Sequence, residues 1–163
     1  MNNNNKNVQP FMKEKNMSDN TQDNVNVAPI AIHNQYIKDL SLEIPYAPEI
    51  FKQITSQPEL KVDVSIESQK IDESHNVMLK ITLNGDVADK KLFVLELTYA
   101  ALVTLNVPQE HIEPIIAVEI PRLLFPFARN IVTQCLVEGG LPPIMLSPID
   151  FASLYMARKN GQQ

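Results

Sequence analysis

The chain has 163 residues, 44% of them hydrophobic, with a formal charge of -5 and a pI near 5.2, enough for one domain with a real core and hardly for two. The acidic balance argues against nucleic-acid binding, which needs a basic patch, while leaving room for a partner that brings basic residues. The single cysteine, Cys135, excludes an intramolecular disulfide and suits a reducing compartment, and the apolar stretches are broken by Glu, Pro or Arg well short of the roughly 18 residues that cross a bilayer.

Residues 1–28 hold nine Asn among Gln, Ser, Thr and balanced charges. Such a segment has too little apolar surface to offset its ordering entropy, so disorder is expected there. It lacks the basic and apolar regions of a secretory signal, and a cytoplasmic protein is expected. Because Met17 is followed by Ser-Asp-Asn, an ordinary-looking start, residues 1–16 read as a dispensable extension or as the product of a misplaced start codon. The folded domain is expected over 29–159, with 160–163 as a flexible tail.

A first strand over about 30–44 ends with Leu40, Leu42 and Ile44 alternating with Asp39, Ser41 and Glu43. In the second, Leu60, Val62, Val64 and Ile66 alternate with Lys61, Asp63, Ser65 and Glu67, the period of two that marks a half-buried strand. The third alternates Val77, Leu79, Ile81 and Leu83 with Met78, Lys80, Thr82 and Asn84, and Asn84-Gly85-Asp86 carries turn chemistry. A long apolar run over 92–103 sets Phe93, Leu95, Leu97 and Tyr99 on one face and Glu96 on the other. Four antiparallel strands follow, in a meander or Greek-key-like order.

Beyond Pro108 the spacing becomes helical over 111–138, with Ile112, Ile115, Ile116, Leu124, Ala128, Ile131 and Cys135 recurring at helical intervals. Pro114, Pro121 and Pro126 predict a kinked helix or two pieces. Gly139-Gly140 ends it, the Pro-rich run to Pro148 is extended, and Asp150 is placed to cap a short helix over 151–159. Strands first and helices after imply an α+β fold: a four-stranded antiparallel sheet with a kinked long helix and a short C-terminal helix packed on one face.

Catalytic chemistry is thinly supplied. His33, His75 and His111 lack metal-ligand spacing, Cys135 sits on an apolar helix face, and none of the four glycines builds a phosphate-cradling loop. No catalytic residue, metal or cofactor is expected. Two features rise above this background. Strand periodicity gathers Asp39, Glu43, Asp63, Glu67 and Glu96 on one sheet face, diluted only by Lys61 and Lys80; such faces are commonly just solvated, but this one also suits a basic partner. The helical region carries Leu123, Leu124, Phe125, Phe127, Met145, Phe151, Leu154, Tyr155 and Met156, more apolar surface than one face of a small sheet requires. Core packing accounts for part of it, and the rest implies oligomer contacts or a binding groove.

Three stretches resemble one family. The run Tyr36-Ile-Lys-Asp-Leu-Ser-Leu-Glu-Ile-Pro-Tyr-Ala-Pro48 is similar to the opening strand of the SecB family, Pro121-Arg-Leu-Leu-Phe-Pro-Phe-Ala-Arg129 to its helix motif, and Gly140-Leu-Pro-Pro-Ile-Met-Leu-Ser-Pro-Ile-Asp-Phe151 to its C-terminal signature. The resemblance, running from about Ile32 to Met156, implies a homotetramer arranged as a dimer of dimers. It implies an ATP-independent chaperone that binds unfolded preproteins and delivers them to the translocase ATPase SecA. Carried over residue by residue, SecA docking falls on Asp39, Glu43, Val94 and Glu96. The client-binding groove takes the strand residues Leu60, Val62 and Val64, with Leu42, Leu124, Phe125, Phe127, Phe151 and Tyr155; Leu95 and Leu97 fall at positions tied to oligomer assembly. The chain ends at Asn160-Gly-Gln-Gln163 without an acidic tail, which shifts the expected SecA contact to the sheet face. Two alternatives accompany this expectation: a SecB-like chaperone dedicated to one client, such as a toxin–antitoxin pair, and a small-ligand enzyme on the same sheet.

Overall fold

The computed structural model describes residues 28–161 apart from positions 56 and 88. The expected disorder of 1–28, all but its last residue, and the end of the expected tail lie outside the described residues. Four strands, β1 (Ile30–Glu43), β2 (Glu59–Ile71), β3 (Ser74–Val87) and β4 (Lys90–Leu105), form one antiparallel sheet in the order β1-β4-β3-β2. Hairpins join β2, β3 and β4, while β1 lies across the sheet beside β4. Of the two expected topologies this is the Greek key.

Cross-strand partners give each face its character. The row Leu40–Leu97–Ile81–Val64 crosses all four strands on one side, and the row Ser41–Glu96–Thr82–Asp63 crosses them on the other. The first side is the core: Leu79, Ile81, Leu83, Leu95 and Leu97 are all buried there beneath the helices.

Strand β1 departs from simple alternation. Register shifts between Ile32 and Asn34 and between Ile37 and Asp39 reverse its side-chain parity twice, so that Ile32, Ile37 and Leu40 all pair with core-facing residues of β4. Each bulge inserts one residue and thereby moves everything beyond it to the opposite face.

The expected turn at Asn84-Gly85-Asp86 is corrected. These residues belong to β3, and the chain reverses two residues further on, where Asp89 takes a positive φ of 59°. Gly85 serves packing instead of the turn. The buried Phe93 ring lies so close that a Cβ at Gly85 would overlap it, and the ladder shifts register just beyond, between Gly85 and Asp86.

The helical region begins with α1 (Gln109–Pro114), passes through a π turn (Ile115–Glu119) and continues as α2 (Ile120–Glu138), 30 residues in all. The π turn lies between Pro114 and Pro121, where proline removes an amide donor from the ladder and regular α bonding cannot be kept. At its end Gly140 takes φ 77° while Leu141 N–H donates to Leu136 O at 3.0 Å and Gly140 N–H to Val137 O at 3.0 Å. That pair of bonds is a Schellman closure, and its left-handed position favours glycine. An extended segment then leads to α3 (Phe151–Asn160), so Asn160, assigned to the tail from sequence, is the last residue of a helix.

Candidate functional site

On the outer sheet face, β1 presents Asp39, Ser41 and Glu43 opposite Thr98, Glu96 and Val94 of β4. Glu96, facing Ser41, is thus diagonal to both Asp39 and Glu43, at separations of roughly 7–8 Å between backbones. All three carboxylates are exposed, and none forms a salt bridge among the described residues. Val94, half-buried, lies in the same patch. Further across, Asp63 and Glu67 share this face, but Glu67 is neutralised by Lys80 at 2.7 Å. The concentrated negative field therefore lies at the β1–β4 end. Periodicity missed Lys38, which sits at a bulge and reaches Met78 Sδ at 3.3 Å.

The expected client groove divides into several environments. Leu124, Phe125 and Phe151 are core residues, corrected by their burial beneath the helices, where Phe151 meets the Phe125 ring edge-on at 5.9 Å. Leu95 and Leu97 are likewise 0% and 1% exposed within a single chain. They offer no surface for a direct contact between copies, so any influence on assembly must pass through the packing of helix on sheet. Leu42 and Leu60 are half-buried at the core margin. Val62 and Phe127 stay 48% and 52% exposed, the latter stacked against Tyr99 with ring centres 6.5 Å apart.

Val64 and Tyr155 line a groove of about 890 Å³ between β2, the π turn and α3. Sequence reasoning missed four other walls of it: Ile66, Ile116, Ala117 and Arg158. The alternation of β2 carried a signal for Ile66 and helical spacing one for Ile116, but which helix faces which strand is a tertiary matter. Strand β2 is one of the two edges of the sheet, so an outward row of backbone donors and acceptors runs along the groove. The Tyr155 hydroxyl is buried, with no hydrogen-bond partner among the described residues.

α3 forms one wall, and Asp150 starts it. Its carboxylate accepts from Ser153 N–H at 3.1 Å and from the Ser153 hydroxyl at 2.7 Å. These bonds, with that of the Ser153 side chain first, hold the Asp150 carboxyl below the usual aspartate range. A lowered folded pKa stabilises above the unfolded value, and the contribution is lost as pH falls through the lowered one. We therefore expect the amides of Ser153 and Leu154 to lose hydrogen-exchange protection below the ordinary aspartate range, and Asp150→Asn, still a capping residue, to remove that pH dependence.

A second apolar surface lies apart from the groove. Leu123, Phe127 and Val137 on α2 are about half exposed, as is Ile37 on β1. Cys135, half-buried, lies on the same helix, where burial pushes its thiol pKa up and favours the protonated form. Among the described residues no group of three His, Cys, Asp or Glu side chains could hold a metal ion, and no helix is long and apolar enough to cross a membrane.

Comparison with known proteins adds the following. The family described as "Preprotein translocase subunit SecB" matches residues 22–162. The protein-export protein SecB of Rhodospirillum rubrum is 44% identical over 83% of this chain and 86% of its own. That of Paramagnetospirillum magneticum is 42% identical over 90% and 98%, and SecB 1 of Gluconobacter oxydans 41% over 90% and 95%. A solved Mycobacterium tuberculosis SecB-like chaperone, in complex with a ChAD peptide from the HigA1 antitoxin, superposes with a TM-score of 0.59 at 18% identity, covering 74% of this chain and 91% of that one. That likeness concerns the fold.

Proposed function

Since the chain belongs to the SecB family of protein-export chaperones, which are not enzymes, we propose that it binds unfolded secretory preproteins, keeps them translocation-competent and delivers them to SecA. It does so in the cytoplasm, without ATP, as a homotetramer built as a dimer of dimers. The observation that carries this reading is the separation of two surfaces: exposed carboxylates on the outer sheet face, and apolar surface with a groove on the helix side and along β2.

The groove suits an extended chain. An unfolded segment laid along β2 can satisfy its backbone against the free edge and place alternate apolar side chains against Val64, Ile66 and Ile116. Each such contact is weak, at about 25 cal/mol per Å² of apolar surface removed from water, and several grooves on one assembly add avidity. The half-exposed Leu123, Phe127 and Val137 of α2 supply apolar area for association between copies, and Asp39, Glu43, Val94 and Glu96 form the docking face for a basic segment of SecA. A chaperone reserved for one client is less well supported: the relatives named as protein-export proteins are 36–44% identical over most of the chain, and the peptide-bound neighbour is a likeness of fold.

Light scattering tests the reading. A denatured preprotein diluted into buffer should aggregate less when this protein is present at stoichiometric concentration, and the scattering mass of the protein alone should be that of a tetramer. A monomer that leaves aggregation unchanged overturns it.

A further inference from the structure

Charge on the outer sheet face is sorted. Two lysines stand in its middle, Lys38 at the β1 bulge and Lys80 on β3, and both turn to one cross-strand row, Tyr36–Ala100–Met78–Glu67. Lys38 Nζ donates to Met78 Sδ at 3.3 Å, and Lys80 Nζ to Glu67 Oε1 at 2.7 Å. Lys61, also on this face, shares a row with Glu43 but stands at its opposite end, on β2. Asp39, Glu43 and Glu96 are thereby left without a lysine partner among the described residues.

Lys80 has more than one carboxylate in reach. Ser65 lies opposite it on β2 and Thr98 on β4, so Glu67 and Glu96 are its diagonal neighbours on the two sides, a separation that a long side chain spans. Asp39 stands one strand further along the same row, opposite Thr98. A lysine drawn to Glu96 or Asp39 would put its charge inside the acidic end of the sheet and cancel part of the field there. The bond to Glu67 keeps that charge on the β2 side. Both partners are well exposed, 39% and 53%, so the bond adds little to stability. What it fixes is the place of the cation.

Resting on the SecA-docking reading above, we propose that Glu67 is a positioning residue of that surface: by holding Lys80, it keeps Glu96 and Asp39 free for the basic segment of the partner. Glu67 acts through Lys80, without touching the partner. When Glu67 is removed, Lys80 turns toward β4 and competes with the incoming cations for the same carboxylate oxygens. The competitor is tethered beside its target, so one lysine is enough to weaken binding.

The test is a double-mutant cycle on the full chain, read as the Kd for purified SecA at physiological ionic strength. Glu67→Gln is expected to weaken binding about threefold, the size of one exposed charge contact. In a Lys80→Gln background the same substitution removes only a remote carboxylate. Glu67 lies two strands and four residues from Glu96, roughly 17 Å by strand geometry, twice the Debye length of about 8 Å. The Kd should therefore change by less than about 1.5-fold in that background. If summed charge alone counted, Glu67→Gln would act by the same factor in both backgrounds. Equal factors overturn the assignment, as does a Kd that Glu67→Gln leaves unmoved in the parent. Binding by the parent separates the two readings. If the parent binds SecA and the factors are equal, only the role of Glu67 falls; if the parent does not bind SecA, the docking reading falls with it.

Discussion

Reversing the three exposed carboxylates of the outer face, by Asp39→Lys, Glu43→Lys and Glu96→Lys together, is expected to weaken SecA binding about thirtyfold at physiological ionic strength. Two unit charges about 6 Å apart in water interact by roughly 0.7 kcal/mol. Reversal changes each such term by twice that amount, and screening over a Debye length of about 8 Å halves it again. Three sites then give about 2 kcal/mol, which is the stated factor in Kd. The loss should fall mainly on the association rate and be greater in low salt, because the field guides encounter more than it holds the complex. All three side chains are exposed and free of salt bridges among the described residues, so the fold has no reason to suffer. Binding measured by calorimetry across a salt series checks this, with scattering mass and aggregation suppression as controls expected to be unchanged. Equal affinity for both proteins at low salt would place the docking surface elsewhere.

Phe151→Ala is expected to have the largest effect on stability, about 3 kcal/mol, the lower range for removing a buried aromatic side chain. Phe151 is 1% exposed and packs edge-on against Phe125, whereas the next turns of α3 keep Leu154 and Met156 largely in solvent. That ring is the one fully buried side chain of the helix, with Ala152 and Tyr155 only partly buried beside it. Without it, α3 keeps its Asp150 cap and its polar reach across the groove, and such exposed contacts contribute little. The urea midpoint should drop at fixed protein concentration, held constant because assembly stabilises the folded chain. Client affinity should fall as well, since a wall of the groove is lost. A variant that unfolds like the parent would show that Phe151 does not anchor α3.

Sequence was most informative where physics is local. A period of two in β2, β3 and β4 depends on neighbouring residues only, and it placed Asp63, Glu67 and Glu96 on the side where the ladder puts them. Prolines at 114 and 121 marked the disturbed stretch of helix, and Asp150 its cap, because lost donors and orphan amides are likewise local matters. In β1 the alternation holds for Asp39 and Glu43 and fails further back, where bulges visible only against β4 reverse the parity.

Burial separated what composition could only count. The apolar surplus of the helical region was evident from the sequence, yet Phe125 and Phe127, two residues apart, end as a core residue and a half-exposed one. Which side of α2 meets the sheet is settled by contacts with β3 and β4, far away in the chain. The same holds for Leu95 and Leu97, whose place inside the core follows from the helices lying over them. The groove combines β2 with segments some 50 and 90 residues later, so no spacing rule could announce it. Strand periods, helix breaks, the acidic outer face and the family resemblance were thus determined by sequence alone. Strand order, bulges, the division of apolar residues between core and surface, and the meeting of Arg158 with Ile66 were decided by tertiary structure, because each depends on long-range pairing that residue order does not specify.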